Sequence, residues 1–414
     1  MKIALISPRY TQEDMRGGEE AIRVLYEGLR DSHEVSLLTS DAIDIEAEHS
    51  SRGRRHHFSL EKSGHANIFV FEAKTGLTSV FHSLSFPMNF MERQGLPVFR
   101  VGALDSIRVR GWGPYIPEIG NLIAKEKFDI IHASIFPTTT SWLAFKAARR
   151  SGRPFVFTPY YHYLRNEFRD SVRLKEMLRY SDAIIACSKV EREKLIELGC
   201  EHEKLFVIPL AINAKAIPIR FLNRSLNRKQ LGITGKSVIL TYPWAEKGGN
   251  LVLRIAMRIS SDIEGISLLT IGYPDNAYIE LREKAKRTAP NLEIIDLGWV
   301  SGEKKWRAVS SADVFALPSQ SDAFGMSYLD AWTSSLPVIV LRGTPQEEMV
   351  HDKVDGFVVG PDGKELEDVL RTLMLDHSIC ERLGNEGRRR VLEEFSPQKM
   401  ISRYENVFQT VTSE

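Results

Sequence analysis

The chain has 414 residues, of which 43 % are hydrophobic and 26 % charged, with 55 lysines and arginines against 54 aspartates and glutamates. This length exceeds what one hydrophobic core usually supports, so we expect two domains of about 200 residues each. The balanced charge disfavours a general nucleic-acid binder, and the three dispersed cysteines form neither a disulfide framework nor a CxxC metal pattern. The first apolar run is too short for a signal peptide, and no stretch reaches the roughly 18 apolar residues of a membrane span. These features predict a folded cytoplasmic protein.

Short, continuous apolar runs in the first half predict strands of a parallel sheet covered by helices on both faces. These runs are Ile3–Ile6, Val35–Leu38, Ile68–Phe71, Ile130–Ile131, Phe155–Phe157, Ala183–Ala186 and Phe206–Ile208. Helical patterns at Glu19–Arg30, Ser141–Arg150 and Val190–Leu198 lie between some of them. Strands that alternate with helices predict a doubly wound α/β domain.

The pattern lapses in a polar, basic stretch from Leu210 to Gly235, which predicts a linker near residues 210–236. Strand patterns then return at Val238–Thr241, Ile266–Ile271, Leu292–Leu297, Val314–Leu317, Pro337–Leu341 and Phe357–Val359. Helical patterns occupy Gly249–Ile259, Asp275–Arg287, Gly302–Ser310 and Met326–Thr333. We therefore predict two facing Rossmann-like, doubly wound domains with an interdomain cleft, at residues 1–210 and 211–396. Residues 397–414 are expected to form a C-terminal helix that returns to the first domain.

Two glycine-containing loops after predicted strands are suited to bind an anion. Gly17 and Gly18 open a helix, so their backbone N–H groups can approach a phosphate; a plain helix cap is the alternative. The loop lacks GxGxxG, which disfavours a nicotinamide dinucleotide. Lys247 precedes Gly248 and Gly249 and can place an ammonium on a phosphate, whereas a solvated turn lysine is the alternative.

The segment from Leu317 to Trp332 carries the strongest signal. A loop with Asp322 follows the strand, and Gly325 begins a helix that contains Asp330. Unpaired N–H groups at this helix start suit a diphosphate, and the two carboxylates can accept hydrogen bonds from sugar hydroxyls. A simple helix cap is the alternative for Asp322. Aspartate within an apolar helix is unfavourable, so Asp330 favours a functional interpretation.

With these residues in place, the chain resembles the family-4 retaining glycosyltransferases of the GT-B fold along nearly its whole length. The matching segments, in order, are GGEEAIRVLYEGLRDSHEVSLLTS, FDIIHAS, FTPYYH, VIPLAIN, AEKGG, GWVSGEKKWRAVSSADVFALPSQSDAFGMSYLDAW and PVIV. Each segment is weak alone, but seven in the right order and spacing are specific.

The resemblance implies transfer of a sugar from a nucleotide-diphosphate donor to an acceptor hydroxyl with retention of configuration, without a metal or another cofactor. The family's Glu-x7-Glu pattern falls on Asp322, expected near the donor sugar, and on Asp330, expected on the ribose hydroxyls. The lysine of its Arg-x4-Lys pair falls on Lys247, expected to neutralise the diphosphate. Largely backbone contacts to the base are expected around Gly272 and Val300. The other expected donor-binding residues are Gly17, Gly18, Tyr242, Gly248, Phe324, Gly325, Met326 and Ser327.

Three departures from the family pattern keep alternatives open. Aspartates replace both glutamates, and Tyr242 replaces the arginine of the Arg-x4-Lys pair. The family's HxH is reduced to His132-Ala-Ser134. A hydrogen bond to a charged group contributes about 1.5–3 kcal/mol, so loss of the guanidinium predicts activity lower by about one to two orders of magnitude. A catalytically degenerate nucleotide-sugar-binding protein is the second interpretation, and a nucleotide-sugar 2-epimerase or sugar phosphorylase of the same fold is the third.

Two histidines and a basic surface of the first domain bear on the acceptor. His132 and His162 follow predicted strands and are candidates for contact with the sugar or the acceptor; a packing role is the alternative. Residues 51–180 hold 20 lysines and arginines against 10 acidic residues. Basic and apolar residues interleave at Arg52–Arg55 and Val98–Trp112, which suits an anionic membrane or a lipid-linked, phosphorylated or polysaccharide acceptor. A solvated surface is the alternative. No nucleic-acid reader motif is present.

Overall fold

The chain folds into two α/β units, Met1–Leu210 together with Pro397–Glu414, and Ala211–Ser396. The structure is a computed structural model, which describes residues 1–10, 17–43, 47, 55, 67–74, 80, 83, 109–161, 171–320 and 322–413. In this described part, no helix is both long and apolar enough to span a membrane.

The first unit is built on a parallel sheet of short apolar strands, most of which are buried. Its described strands are β1 (Lys2–Ile6), β2 (Glu34–Ser40), β3 (Asn67–Phe71), β4 (Ile130–Ser134), β5 (Phe155–Thr158), β6 (Ala183–Ala186) and β7 (Leu205–Val207). Their order in the sheet is β3-β2-β1-β4-β5-β6-β7. The register places Leu5 of β1 beside Leu37 of β2 and beside His132 of β4.

Three helices of the first unit begin after a polar capping residue. The Thr138, Ser171 and Ser188 hydroxyls each accept a hydrogen bond from a backbone N–H in the first turn of the helix that follows. The described helices are Gly17–Leu29, Glu118–Lys125, Thr139–Ser151, Val172–Tyr180, Lys189–Glu197 and Pro397–Ser413.

The last helix of the chain packs within the first unit. Gly28 lies so close to Ile401 that a Cβ at position 28 would overlap the isoleucine side chain. The Tyr404 hydroxyl lies 3.2 Å from Thr158 Oγ1 on β5, and His33 Nε2 lies 3.2 Å from Glu405 Oε1. The helix that ends the sequence therefore completes the core of the unit that begins it.

The second unit repeats the architecture on another parallel sheet. Its described strands are β8 (Ser237–Thr241), β9 (Ile266–Thr270), β10 (Leu292–Asp296), β11 (Val314–Ala316), β12 (Val338–Leu341) and β13 (Gly356–Val359), in the order β10-β9-β8-β11-β12-β13. The described helices are Arg224–Leu231, Gly249–Ile259, Asn276–Thr288, Gly302–Ser310, Met326–Thr333, Lys364–Leu375 and His377–Glu393.

The predicted fold class, two doubly wound α/β domains on parallel sheets, is confirmed. The structure also contains a helix, Arg224–Leu231, inside the stretch predicted to be a linker. The only buried residue of that helix is Asn227, which donates to Phe221 O and Ser310 Oγ. Without an apolar stripe the helix has no hydrophobic period, which is why the sequence pattern did not predict it.

The strand order fixes where loops from distant parts of the chain meet. In each sheet the order reverses direction between two adjacent strands, β1 and β4 in the first and β8 and β11 in the second. Loops at the carboxyl ends of such strands form the crevice in which open α/β sheets bind ligands. Functional residues are therefore expected on these loops.

Helix Met326–Thr333 of the second unit packs closely against a neighbouring helix. Trp332 at the end of helix Met326–Thr333 is fully buried, and its indole Nε1 donates to Asp355 O at 2.9 Å. Helix His377–Glu393 approaches this indole at Gly387, where a Cβ would overlap the ring. Glycine at position 387 thus permits the contact between the two helices.

We predict that Gly387→Ala lowers the free energy of unfolding by about 1–3 kcal/mol, because the added methyl group overpacks the contact with Trp332. Thermal or urea denaturation measures the change. Gly120→Ala is the matched control, since Gly120 is also helical and a Cβ there would meet only the Ala147 Cβ at 4.0 Å. The control should be neutral or stabilising by up to about 1 kcal/mol. Equal effects of the two substitutions would contradict the packing argument.

Candidate active site

The loops after β8 and β11 bring a lysine and an aspartate together. Lys247 Nζ lies 2.5 Å from Asp322 Oδ1, although the two residues are 75 positions apart in the sequence. The two side chains are 17 % and 19 % exposed, so the ion pair is largely shielded from water yet reachable from the surface. This position at the switch point of the second sheet is where the fold favours a ligand.

Backbone geometry and two side chains hold these loops in place. Gly248 has φ 82°, and a Cβ there would lie 2.7 Å from the carbonyl oxygen of Pro318. Gly325 has φ 97° and caps helix Met326–Thr333. The Tyr328 hydroxyl donates to Leu317 O at 2.5 Å, and Gln346 Nε2 donates to Phe324 O at 3.0 Å. Hydrogen bonds from these two side chains therefore hold the loop that contains Asp322 on both sides, at Leu317 and at Phe324.

Asp330 forms a second ion pair next to the first. It is 8 % exposed on helix Met326–Thr333, and its Oδ1 accepts from Lys305 Nζ at 2.9 Å. Lys305 belongs to helix Gly302–Ser310. Sequence reasoning selected Asp330 but missed Lys305, because one lysine on an amphipathic helix gives no signal of its partner.

Tyr242 lies beside both aspartates. Burial raises the pKa of its phenol well above the ordinary value, and the negative charges of Asp330 and Asp322 raise it further. A hydrogen bond with Ser327 acts in the opposite direction. The phenol is consequently neutral at physiological pH. It supplies no positive charge at the position where the Arg-x4-Lys pattern has arginine.

Aromatic side chains border the same edge of the second sheet. Trp244 Nε1 donates to Tyr273 O, and the Trp244 ring packs over Gly272, where a Cβ would come within 3.0 Å of it. Gly272 N donates to Gly298 O at 2.7 Å, which ties the carboxyl ends of β9 and β10 together. Val300 is half-buried in the loop that continues from Gly298. Tyr273 is 69 % exposed, an aromatic residue that sequence reasoning missed.

In the first unit, Gly17 and Gly18 begin helix Gly17–Leu29 after β1. A Cβ at Gly18 would lie 3.2 Å from the Tyr160 ring, so this position has little room for a side chain. Arg9 and Glu19 form a buried ion pair across the loop, with Arg9 Nε donating to Glu19 Oε1 at 2.6 Å. The pair was not predicted, and it links the segment after β1 to the first turn of the helix.

His132 lies inside β4 and is fully buried. Its Nε2 is 2.9 Å from Thr158 Oγ1, and its ring meets Tyr404 edge-on at a centroid distance of 5.6 Å. Burial lowers the pKa of the imidazole to about 3. The structure thus surrounds His132 with packing partners, and its contact with a sugar or acceptor stays a prediction. His162 lies outside the described residues.

The basic and apolar segments predicted to face a membrane lie mostly outside the described residues. Within the described part, Arg55 Nη1 contacts Asp41 Oδ1 at 2.7 Å, so this arginine has an acidic partner. In the same part of the chain, no group of three or more His, Cys, Asp or Glu side chains is placed to hold a metal ion.

Acid should destabilise the first unit through His132. Because the folded state lowers the pKa of His132 from 6.5 to about 3, only the unfolded chain takes up this proton between those values. Stability should therefore fall as the pH drops below 6.5, with this group contributing about 2 kcal/mol between pH 6.5 and 5. Denaturation of the unmodified protein and of His132→Gln across this range measures the contribution. An identical pH dependence in the two proteins would contradict it.

Comparisons with known proteins identify the family. Residues 16–211 match the family described as Glycosyl transferase 4-like domain, and residues 223–390 match Glycosyl transferases group 1. The MMP alpha-(1->4)-mannosyltransferase of Mycolicibacterium hassiacum is 25 % identical over 304 residues, which cover 69 % of this chain and 66 % of that protein. Sulfoquinovosyl transferase SQD2 of Arabidopsis thaliana is 25 % identical over 287 residues, 66 % of this chain and 55 % of that protein. The chain thus spans about half to two thirds of the length of these curated relatives.

A solved structure shows the same fold. The crystal structure of Anabaena Alr3699/HepE in complex with UDP and glucose superposes with a TM-score of 0.71, at 16 % identity over 99 % of this chain and 100 % of that one. The two matched domains, the two parallel sheets and this structural neighbour agree, and the chain belongs to the family-4 glycosyltransferases of the GT-B fold.

Proposed function

We propose that this protein transfers a sugar from a nucleotide-diphosphate donor to an acceptor hydroxyl with retention of anomeric configuration. The observation that carries the proposal is the ion pair of Lys247 with Asp322 at the switch point of the second sheet. A lysine there can bind phosphate oxygens, and an aspartate beside it can accept hydrogen bonds from sugar hydroxyls. The crystal structure of Anabaena Alr3699/HepE contains UDP and glucose, which supports a donor of this class.

In the proposed reaction the bond between the anomeric carbon and the β-phosphate oxygen breaks. The acceptor oxygen forms its bond to that carbon on the same face, and the acceptor proton passes to the departing phosphate oxygen. Lys247 and the N–H groups at the start of helix Met326–Thr333 stabilise the charge that develops on the leaving phosphate. The protein contributes positioning and electrostatics, without a covalent nucleophile.

We propose that these cationic and N–H groups act without a metal. Chelation by EDTA should then leave transfer unchanged. We propose the acceptor by chemical class only: a hydroxyl group on a lipid-linked, phosphorylated or polysaccharide molecule.

Tyr242 favours the second interpretation, a nucleotide-sugar-binding protein without turnover. Its half-buried, neutral phenol gives no charge to the leaving group. A protein that binds a nucleotide sugar but releases no nucleoside diphosphate from it, with or without acceptors, would support this alternative over transfer.

Lys247→Met should lower the rate at which nucleoside diphosphate is released from the donor by about 10- to 100-fold, because one charge-assisted hydrogen bond to the leaving phosphate is lost. Slow hydrolysis of the donor, with water in place of the acceptor, provides an assay before the acceptor is known. Lys284→Met is the matched control, since Lys284 is exposed on helix Asn276–Thr288. If both variants release nucleoside diphosphate at the unmodified rate, the proposed role of Lys247 is wrong.

Asp322→Asn should separate binding from turnover. It removes the carboxylate that competes with phosphate for the Lys247 ammonium, so we expect nucleoside diphosphate to bind at least as tightly as before. The rate at which nucleoside diphosphate is released from the donor should fall, because the sugar hydroxyls lose a charged hydrogen-bond acceptor. Calorimetric titration and the hydrolysis assay measure the two effects. Weaker nucleoside diphosphate binding with unchanged release would reverse the assignment.

A further inference from the structure

Lys305 is charge-paired with a site residue, although no motif singles it out. Its Nζ lies 2.9 Å from Asp330 Oδ1 and 4.6 Å from the centroid of the Trp306 ring. Its side chain is 32 % exposed, so the lysine is half-buried. The ammonium is therefore drawn toward Asp330 instead of extending into solvent.

The Asp330 carboxylate is shielded from water beside the Lys305 ammonium. Its side chain is 11 % exposed, and the neighbouring Tyr242 is neutral, so the carboxylate gains no opposite charge from that side. An ammonium beside a shielded carboxylate forms a charge-assisted hydrogen bond that restrains the orientation of the carboxylate. Aspartate also has one methylene fewer than glutamate, so its carboxylate lies closer to the helix axis and depends more on what holds it.

We propose that Lys305 is a positioning residue of the donor site, which orients the Asp330 carboxylate to accept hydrogen bonds from the ribose hydroxyls of the nucleotide. This inference rests on the proposed function. Lys305 acts through Asp330 and does not contact the phosphates. The pair joins helix Gly302–Ser310 to helix Met326–Thr333, so the nucleotide site includes a helix that no motif assigned to it.

The alternative for this ion pair is a simple contact between two helices. Breaking such a contact would change the stability of the protein, but it would change the affinities for ribonucleotides and deoxynucleotides equally. A role through Asp330 predicts instead that the effect of Lys305 depends on the ribose hydroxyls of the ligand. Removing a hydroxyl from the ligand and the ammonium from the protein should then not be additive.

The test uses Lys305→Met in the full chain, with Lys304→Met as matched control because Lys304 is exposed one position earlier on the same helix. UDP, GDP and ADP are titrated calorimetrically, together with the 2′-deoxy and 3′-deoxy forms of whichever binds. Loss of a hydrogen bond to a charged group predicts that Lys305→Met weakens binding of the ribonucleotide by about tenfold or more. Binding of at least one deoxy form should change by less than about twofold. Lys305→Arg should restore most of the affinity.

Each other outcome overturns a specific claim. If Lys305→Met weakens ribo and deoxy nucleotides equally, the lysine acts on the phosphates or only on stability, and the inference is wrong. If it behaves like Lys304→Met, the ion pair has no role in binding. If the unmodified protein binds none of the nucleotides, the proposed function itself fails, and this inference fails with it.

Discussion

Parallel pairing of β8 with β11 brings the loops that follow the two strands to one edge of the second sheet. The register places Ile239 beside Val314 and Leu240 beside Phe315, and neighbouring strands lie about 4.8 Å apart. Residues that follow the two strands by a few positions must then approach each other, whatever their separation in sequence. The contact between Lys247 and Asp322 is a direct consequence, and the chemistry proposed for this protein depends on it.

The site combines two ammonium groups with two carboxylates around a neutral phenol. Lys247 pairs with Asp322, and Lys305 pairs with Asp330, so the four charges cancel in the unliganded protein. A ligand that carries hydroxyls and phosphates can satisfy both kinds of group at once, whereas a simple anion satisfies only the lysines. This balance of charges suits the nucleotide-sugar donor proposed above. It also involves all three positions at which the site differs from the family pattern, Tyr242, Asp322 and Asp330.

The sequence predicted much of this fold because continuous apolar runs mark buried parallel strands. It also predicted the bounds of helices with a clear apolar period, such as Gly249–Ile259. It missed Arg224–Leu231, whose buried face is a single asparagine, since no hydrophobic period exists there. Motif order selected Lys247, Asp322 and Asp330 as candidate site residues, but the pairing of Lys305 with Asp330 depends on which helices become neighbours. Tertiary packing decides that, and residue spacing does not reveal it.

The measurement that tests the central claim most directly is thermal denaturation of the full chain with UDP, GDP, ADP and CMP and with the corresponding nucleotide sugars. A ligand present at 100 times its dissociation constant stabilises the folded state by about 2.7 kcal/mol, which shifts the midpoint visibly. The account predicts that one nucleotide and its sugar conjugate raise the midpoint and that Lys247→Met reduces the shift. No shift with any nucleotide at millimolar concentration would contradict a nucleotide-sugar site in the second unit.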